Sequence, residues 1–540
     1  MANYLLAAAV IVLLALAIPT AIYITTTLEY HSRIKTLQKA QKDGEAAPVP
    51  QIPYFIPGLG STISFSNTKV GAYWTWLASQ TRAHGLNAVS ILLSGKRTHF
   101  AFTADSVLGT FKARQLTRWK LDQQLGTNVL GMSKEDAAKA FPEHLDAKTQ
   151  LTTERIHSNG LLAASAVDSM TEKFMEVYLK RLGEVDTGDE GLEINLYEWM
   201  REHLFHASTV ALAGEKLLEM FPDMAEDFWH WDHGLIDMLF GKPKFLAPQA
   251  YASRDKLVGQ LQQWLKAGYE ATETDNSDPD WEPNFGARVM RKRHEFYAQQ
   301  KLSLHGQAGF DLIFIGGILS NAIPAIGWML MHILSPTNPP ELLSWVMDEL
   351  KASRNPDGSV DVAKLVAQPL LTSMFHEVLR AYVDVLVVRQ VEANATIGSH
   401  VLNKDEMVMA PSWLSHRNPD YFAKPDAFDP ARFLIEDKET GKLTFSTSGL
   451  NGKLFPFGGG HYMCPSRTFA KQEVLGAIAV LLLNFDVEFV EFVKLDGKKG
   501  FKGAGKGAEA FPNLRDGYSG NVVVGLDGDM RVRIRRKDRA

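Results

Sequence analysis

Leu454-Phe455-Pro456-Phe457-Gly458-Gly459-Gly460-His461-Tyr462-Met463-Cys464-Pro465-Ser466-Arg467 is the stretch on which the reading of this chain turns. It holds the one cysteine among 540 residues. A run of glycines lets a backbone come close to a flat partner and take positive φ. After the cysteine, Phe469, Val474, Leu475, Ile478, Leu481 and Leu482 recur at helical spacing, which predicts a helix from Arg467 to Phe485. The thiol therefore lies just ahead of a helix N-terminus, where the dipole and free N–H groups favour a thiolate. A single thiolate offered from a glycine-rich loop suits one axial bond to an iron porphyrin. The bland alternative is a buried structural cysteine after a glycine turn.

The loop resembles the cysteine-ligand loop of the cytochrome P-450 family, where Phe, Gly, a basic residue, Cys and a small residue stand at fixed spacing. Phe457, Gly460 and Cys464 match, while Tyr462 stands at the basic position and Ser466 at the small one. The resemblance implies heme b (iron-protoporphyrin IX), with Cys464 as the axial ligand of its iron and Phe457 and Gly460 among the cofactor-binding residues. The family's basic residue pairs with a haem propionate. With Tyr462 in its place, His461 next door and Arg389, in an upstream β-region, are the candidate partners. The family often carries a Trp and an Arg four apart on the helix crossing the haem edge. No such pair is found before Gly160, where Lys148 and Arg155 are candidates set against a solvated charged face.

Glu377-Val378-Leu379-Arg380 lies on a predicted helix from Leu370 to Tyr382. Residues three apart share a helix face, and a surface pair of this kind is worth little. The spacing also matches the family's Glu-x-x-Arg, whose third member, an Arg in a Pro-x-Arg-Phe stretch, is supplied by Pro430-Ala431-Arg432-Phe433. The resemblance implies a buried, structural triad of Glu377, Arg380 and Arg432, joined by planar bidentate bonds. His416 matches a family histidine in the same region.

Phe310 to Leu334 is apolar on all sides and so either spans a membrane or fills a large core. By the resemblance it is the central helix passing over the haem, kinked at Pro324. In most members this helix carries an acid followed by Thr or Ser, which together deliver protons for oxygen cleavage. Gly316-Gly317-Ile318-Leu319-Ser320-Asn321-Ala322-Ile323-Pro324 has no carboxylate. Asn followed three residues later by Pro resembles the branch holding the steroid 7α- and 12α-hydroxylases and prostacyclin synthase. Asn321 is thus the candidate catalytic residue; the alternative is an amide that satisfies a backbone group at the kink.

Tyr4 to Ile24 is long and apolar enough to cross a bilayer. Arg33, Lys35, Lys39 and Lys42 follow it, which places the remainder on the cytoplasmic side. A cleaved signal peptide would have a basic start and a shorter apolar core. Pro48, Pro50, Pro53 and Pro57 then make a stiff connector. The expected domains are a transmembrane anchor over 1–30, a basic and proline-rich hinge over 31–60, and a haem-thiolate catalytic domain over 61–540. Hydrophobic residues at 45% and charged residues at 22% are ordinary for a globular protein, and a net charge of −5 gives no reason to expect nucleic acid. One cysteine excludes an internal disulfide and any multi-cysteine metal site.

Gly160 to Leu182, Leu192 to Phe221 and Tyr251 to Thr272 read as helices, Asn87 to Leu93 and Thr98 to Thr103 as strands, and Asn521 to Leu526 and Met530 to Arg535 as a terminal hairpin. The fold class implied is mainly α with small β-sheets, a cytochrome P-450 fold behind an N-terminal transmembrane helix. The function implied is a monooxygenase of the endoplasmic reticulum membrane, single-pass, with a cytoplasmic catalytic domain. Its partners would be NADPH-cytochrome P-450 reductase, dioxygen and a hydrophobic sterol, terpenoid or polyketide-like substrate of secondary metabolism. That substrate would be held by Leu130 to Pro248, the central helix, and loops near Val385 and Tyr518. A peroxide-rearranging isomerase like prostacyclin synthase and a non-catalytic haem or lipid-binding protein are the alternatives.

Overall fold

A computed structural model describes residues 2–66, 69–82, 84–144, 147–272, 277–494, 505–517, 520 and 522–537. Helix α1 (Ala2–Asp43) is the longest. Its first half projects bare: Leu5, Leu6, Ile11 and Leu13 are all exposed. Its second half is built differently, because Tyr30, Ile34, Leu37 and Ala40 recur at helical spacing and are buried. They share a core cluster with Trp74, Leu77, Phe100 and Trp413. The basic residues after the apolar run are therefore helical, and the non-helical connector begins at Gly44, where Ala47–Pro48 pairs with His400–Val401.

A five-stranded sheet forms one wall. It contains β1 (Ala88–Leu93), β2 (Lys96–Ala101), β3 (Leu386–Val391) and β4 (Met407–Pro411), with Leu116–Thr117 at its edge. β1 and β2 close around Ser94-Gly95, both in the left-handed region. The edge pair has a consequence for the site. Leu116 faces Val391 and Thr117 faces Gln390, which brings the next residue, Arg118, beside Arg389 of β3.

The helical body contains α2 (Trp119–Asn128), α3 (Leu196–Ala213), α4 (Met224–Leu239), α5 (Leu304–Leu334), α6 (Pro369–Tyr382) and α7 (Arg467–Asn484). The helix read over Leu192 to Phe221 is not one element. Leu192–Asn195 is a strand, and Gly214, at φ 84, separates α3 from a short helix over Glu215–Met220. A Cβ on Gly214 would lie 2.2 Å from the Pro283 carbonyl oxygen, so the chain turns there against a close neighbour. The terminal hairpin also differs. Gly528–Arg536 pairs with Phe485–Lys494, while residues 522–526 make isolated bridges and residue 521 lies outside the described residues. Alternation is still obeyed: Met530, Val532 and Ile534 are buried, and Arg531 and Arg533 face outward to Glu491 and Glu193.

Among the described residues two helices are long and apolar enough to cross a membrane. Tyr4–Asp43 has 0% of its apolar window buried and Leu304–Leu334 has 72%, so the second is a core helix and the first is the candidate anchor.

Candidate functional site

Cys464 is half-buried, two residues ahead of the N-cap of α7. Its backbone N–H donates to the Phe457 carbonyl at 3.0 Å, folding the loop back on itself. Phe111 closes the loop from behind. A Cβ on Gly459 would lie 2.2 Å from its ring, and one on Gly460, at φ 66, would lie 2.5 Å from its carbonyl oxygen. Glycine is required at both by close approach, and at Gly460 by the backbone angle as well. Burial pushes the Cys464 thiol up, against the Ser466 N–H and the Arg467 charge, which pull it down. The downward pulls are those of a helix N-terminus and a neighbouring cation, as the sequence led one to expect, and burial opposes them.

The loop is tied to a buried ionic cluster. Glu377, fully buried on α6, accepts from Arg380 Nε at 2.7 Å and Nη2 at 2.8 Å, from Arg432 Nε at 2.9 Å and from the Asp429 N–H at 2.9 Å. Arg380 Nη1 continues to the carbonyls of Pro425 at 2.7 Å and His416 at 3.0 Å. His416 is buried and held neutral: burial and then the Arg417 and Arg380 charges push its pKa well down. Its Nε2 accepts the Phe455 N–H at 3.0 Å. An unbroken line thus runs from Glu377 through Arg380 and His416 into the first turn of the cysteine loop.

Beside the loop two cations gather over one ring. The Arg389 guanidinium sits 4.3 Å from the Tyr462 centroid and the Arg118 guanidinium 5.3 Å from it. Arg118 is paired with Asp122 at 2.6 Å. Arg389 is buried, donates only to the Val388 carbonyl, and has no carboxylate partner among the described residues. Its pKa is lowered to about 10 by burial first and then by the Arg118 charge. Next to Arg118, the Trp119 indole N–H is buried and has no hydrogen-bond partner among the described residues. An under-compensated guanidinium and an orphaned donor beside a thiol loop are what a carboxylate-bearing macrocycle would satisfy. The residues present fit an iron porphyrin with its propionates on this side.

Of the candidates from sequence, Cys464, Phe457, Gly460 and Arg389 meet at this loop, and Glu377, Arg380 and Arg432 meet beneath it. His461 is exposed on the Gly460–Tyr462 turn and joins the cationic pair through no bond among the described residues. Arg155 is exposed, and the side chain of Lys148 and residue Tyr518 lie outside the described residues. Arg118 and Trp119 were missed because the search was for a Trp and an Arg four apart; here they are adjacent. The usable signal was Leu116-Thr117, a short strand that delivers them to the sheet edge beside Arg389.

Helix α5 packs against α7, the helix that follows the cysteine loop. Between Asp311 and Leu334 only Ile313, Phe314, Gly317, Ser320 and Asn321 keep accessible surface, a stripe at helical spacing. Gly317 is exposed, and a Cβ there would meet nothing within 4 Å. The stripe is therefore the one accessible face of an otherwise buried stretch, residues 311–334. The Asn321 amide is engaged at both ends: Nδ2 donates to the Gly317 carbonyl at 2.7 Å, and Oδ1 accepts the Val523 N–H at 3.2 Å. One amide hydrogen remains uncommitted.

The cytochrome P450 family model matches residues 119–504 of this chain. Among similar proteins, the cytochrome P450 monooxygenase calL of Penicillium decumbens is 28% identical over 393 residues, covering 71% of each chain. The cytochrome P450 monooxygenase fsoE of Humicola fuscoatra is 27% identical over 551 residues, covering 94% of this chain and 90% of its own. Cytochrome P450 7A1 of Oryctolagus cuniculus is 25% identical over 470 residues, covering 81% of this chain and 86% of its own.

Proposed function

The chain belongs to the cytochrome P450 family, and from that membership we propose a membrane-anchored haem-thiolate monooxygenase that inserts one atom of dioxygen into a hydrophobic small molecule of sterol, terpenoid or polyketide kind. The observation that carries the reading is the meeting, at one loop, of a half-buried Cys464 thiol and the Arg118–Arg389 cation pair. Cys464 would ligate the iron of heme b through its sulfur, and Phe457 and Gly460 shape the loop that would hold it. Arg389, Arg118 and Trp119 would hold the propionates, with His461, at the loop's exposed turn, as an outer contact. Glu377, Arg380 and Arg432 keep the loop in place.

When bound, the haem supplies activation of dioxygen, with electron donation from the thiolate. The chain's own contribution is positional. The α5 stripe borders the substrate, and its apolar members Ile313 and Phe314 exclude water from it. The uncommitted N–H of Asn321 orients dioxygen or a water there. An amide holds a position but gives up no proton at neutral pH, so Asn321 is an orienting residue. Electrons come from NADPH through cytochrome P450 reductase. Domain limits of 1–30, 31–60 and 61–540 describe the anchor, the hinge and the catalytic body, with the anchor in the endoplasmic reticulum membrane. Support for the sterol or terpenoid class comes from the Asn321-x-x-Pro324 pattern, and support for secondary metabolism from the fungal relatives.

A second reading, rearrangement of a lipid hydroperoxide, is favoured by one observation: residues 316–324 contain no acid, and such a reaction consumes no protons. The purified full-length protein, incubated with the reductase and a panel of sterols and terpenoids, separates the two. Oxygenated product that requires NADPH is the expected result. Consumption of a fatty-acid hydroperoxide without NADPH, and no NADPH-dependent product, would establish the isomerase instead.

A further inference from the structure

Where the apolar run of α1 ends, a cavity of about 680 Å³ opens between α1, the connector and the helix Ala72–Arg82. Small-molecule sites are of this size, roughly 300–1,000 Å³. Six aromatic side chains line it: Tyr23, Tyr30, Tyr54, Phe55, Tyr73 and Trp76. Among the described residues the lining has no Lys, Arg, Asp or Glu. The rings fix one another. Tyr23 stacks on Phe55 with centroids 4.3 Å apart and planes 6° from parallel, which ties the connector to the end of the apolar run. Tyr73 meets Trp76 at 5.3 Å, and the imidazoles of His31 and His84, also in the lining, meet edge to face at 5.9 Å.

The position of the cavity along α1 says what reaches it. α1 is one helix from Ala2 to Asp43. At 1.5 Å per residue, its lining residues from Tyr23 to His31 span about 12 Å, starting in the last turn of the apolar run. A bilayer has ~30 Å of hydrocarbon in ~40–45 Å overall, which leaves about 5–8 Å for each headgroup layer. The cavity therefore begins at the hydrocarbon edge and runs through the depth of the headgroups. The connector is at the same level: Phe55 is in the lining, and Ile56, Leu59 and Ile63 beside it are exposed. Exposed apolar side chains beside an anchor belong against lipid.

The lining selects its ligand by charge. Without a carboxylate it has no anionic partner for a primary ammonium, whose three N–H donors each want an acceptor. Without Lys or Arg it has no cation for an anionic headgroup. Arg33, two residues past His31, is paired with Glu29 at 2.8 Å. A quaternary ammonium carries no N–H and is held by ring faces alone, as in aromatic cages. Tyr73 is 2% exposed, and its hydroxyl has no hydrogen-bond partner among the described residues. Burial raises its pKa, with Ser61 of the same lining opposing. An acceptor on the ligand would satisfy that hydroxyl.

We propose that this cavity binds the headgroup of a choline phospholipid from the membrane, its trimethylammonium against the aromatic faces and a phosphodiester oxygen on the Tyr73 hydroxyl. One bound lipid then seats the catalytic body on the bilayer beside the anchor. The inference rests on the reading of α1 as a membrane anchor.

The test uses the full-length, haem-loaded protein in nanodiscs of phosphatidylglycerol. Each sample carries a trace of one lipid spin-labelled on its acyl chain: phosphatidylcholine, phosphatidylethanolamine, phosphatidylglycerol or a sterol. The immobilised fraction in the electron paramagnetic resonance spectrum is expected to be severalfold larger for the phosphatidylcholine label than for the other three. Trp76→Ala removes one ring face and should weaken that preference roughly tenfold. Trp76→Phe keeps a ring and should recover most of it, and the reduced carbon-monoxide spectrum of the haem stays parental in both. Equal immobilisation of all four labels in the parent overturns the proposal, as does a preference that survives Trp76→Ala unchanged. Preference for the sterol label overturns the assigned headgroup. Dissolved phosphocholine should displace little of the label; complete displacement at equal concentration assigns the cavity to a soluble quaternary amine and overturns the lipid. Protein that fails to enter discs of any composition overturns the anchor reading and this proposal together.

Discussion

Replacing Glu377 by alanine removes one carboxylate and strands two guanidiniums. Four hydrogen bonds end on Glu377, from Arg380 Nε and Nη2, Arg432 Nε and the Asp429 N–H. Arg380 is fully buried and Arg432 nearly so, which leaves little water to take the carboxylate's place. Breaking a buried ion pair from one side costs about 3–5 kcal/mol. Against a domain stability of about 5–15 kcal/mol, that is a third or more of the total in many cases. The damage also has a direction. Arg380 holds the His416 carbonyl, and His416 Nε2 holds the Phe455 N–H at the start of the cysteine loop. Glu377→Ala is therefore expected to lower haem loading as well as stability. Haem per polypeptide, read from the reduced carbon-monoxide complex, and the thermal midpoint are measured on matched preparations. Parental values for both in Glu377→Ala would refute the reasoning.

Three further outcomes follow from the same geometry. Asn321→Ala removes the amide N–H that orients dioxygen or a water, worth about 1–3 kcal/mol; it should keep its haem spectrum and lose product per NADPH by roughly one to two decades, whereas coupling equal to the parent's would show that the amide only ties Val523 to α5. A chain starting near Glu29 should shift substantially to the soluble fraction and stay folded, while one starting at Pro48 also loses the buried Tyr30, Ile34, Leu37 and Ala40 and should be less stable; equal stability of the two would contradict the packing of α1, and secretion of a processed form would identify a signal peptide. Burial raises the Glu473 carboxyl to about 7, with the Ser208 hydroxyl opposing. The stability this group contributes is full below its ordinary value and is lost as pH rises through about 7, so Glu473→Gln should melt above the parent at alkaline pH, by an amount on the order of 2–3 kcal/mol, and match it in acid; a pH-independent difference would refute this.

What the sequence made legible was local chemistry at fixed spacing. Glu377 and Arg380 are one helical turn apart, Arg432 sits in a short motif, and Cys464 stands alone after its glycines, so each was found without knowing the fold. The apolar periodicity likewise placed α7 to within one residue and the start of α5 to within six. The propionate side was not legible, because Arg118 and Arg389 are 271 positions apart and meet only through the pairing of Thr117 with Gln390. The break at Gly214 failed for a different reason: helix formers flank it on both sides, and the close approach of Pro283 that fixes the turn has no local trace.

The central claim, that Cys464 is the axial ligand of a haem iron, is tested most directly by the spectrum of the reduced full-length protein under carbon monoxide. A thiolate complex gives a strongly red-shifted Soret band, which is predicted for the parent and predicted to vanish in Cys464→Ala. Retention of that band in Cys464→Ala, or a parent that binds haem without showing it, would contradict the account.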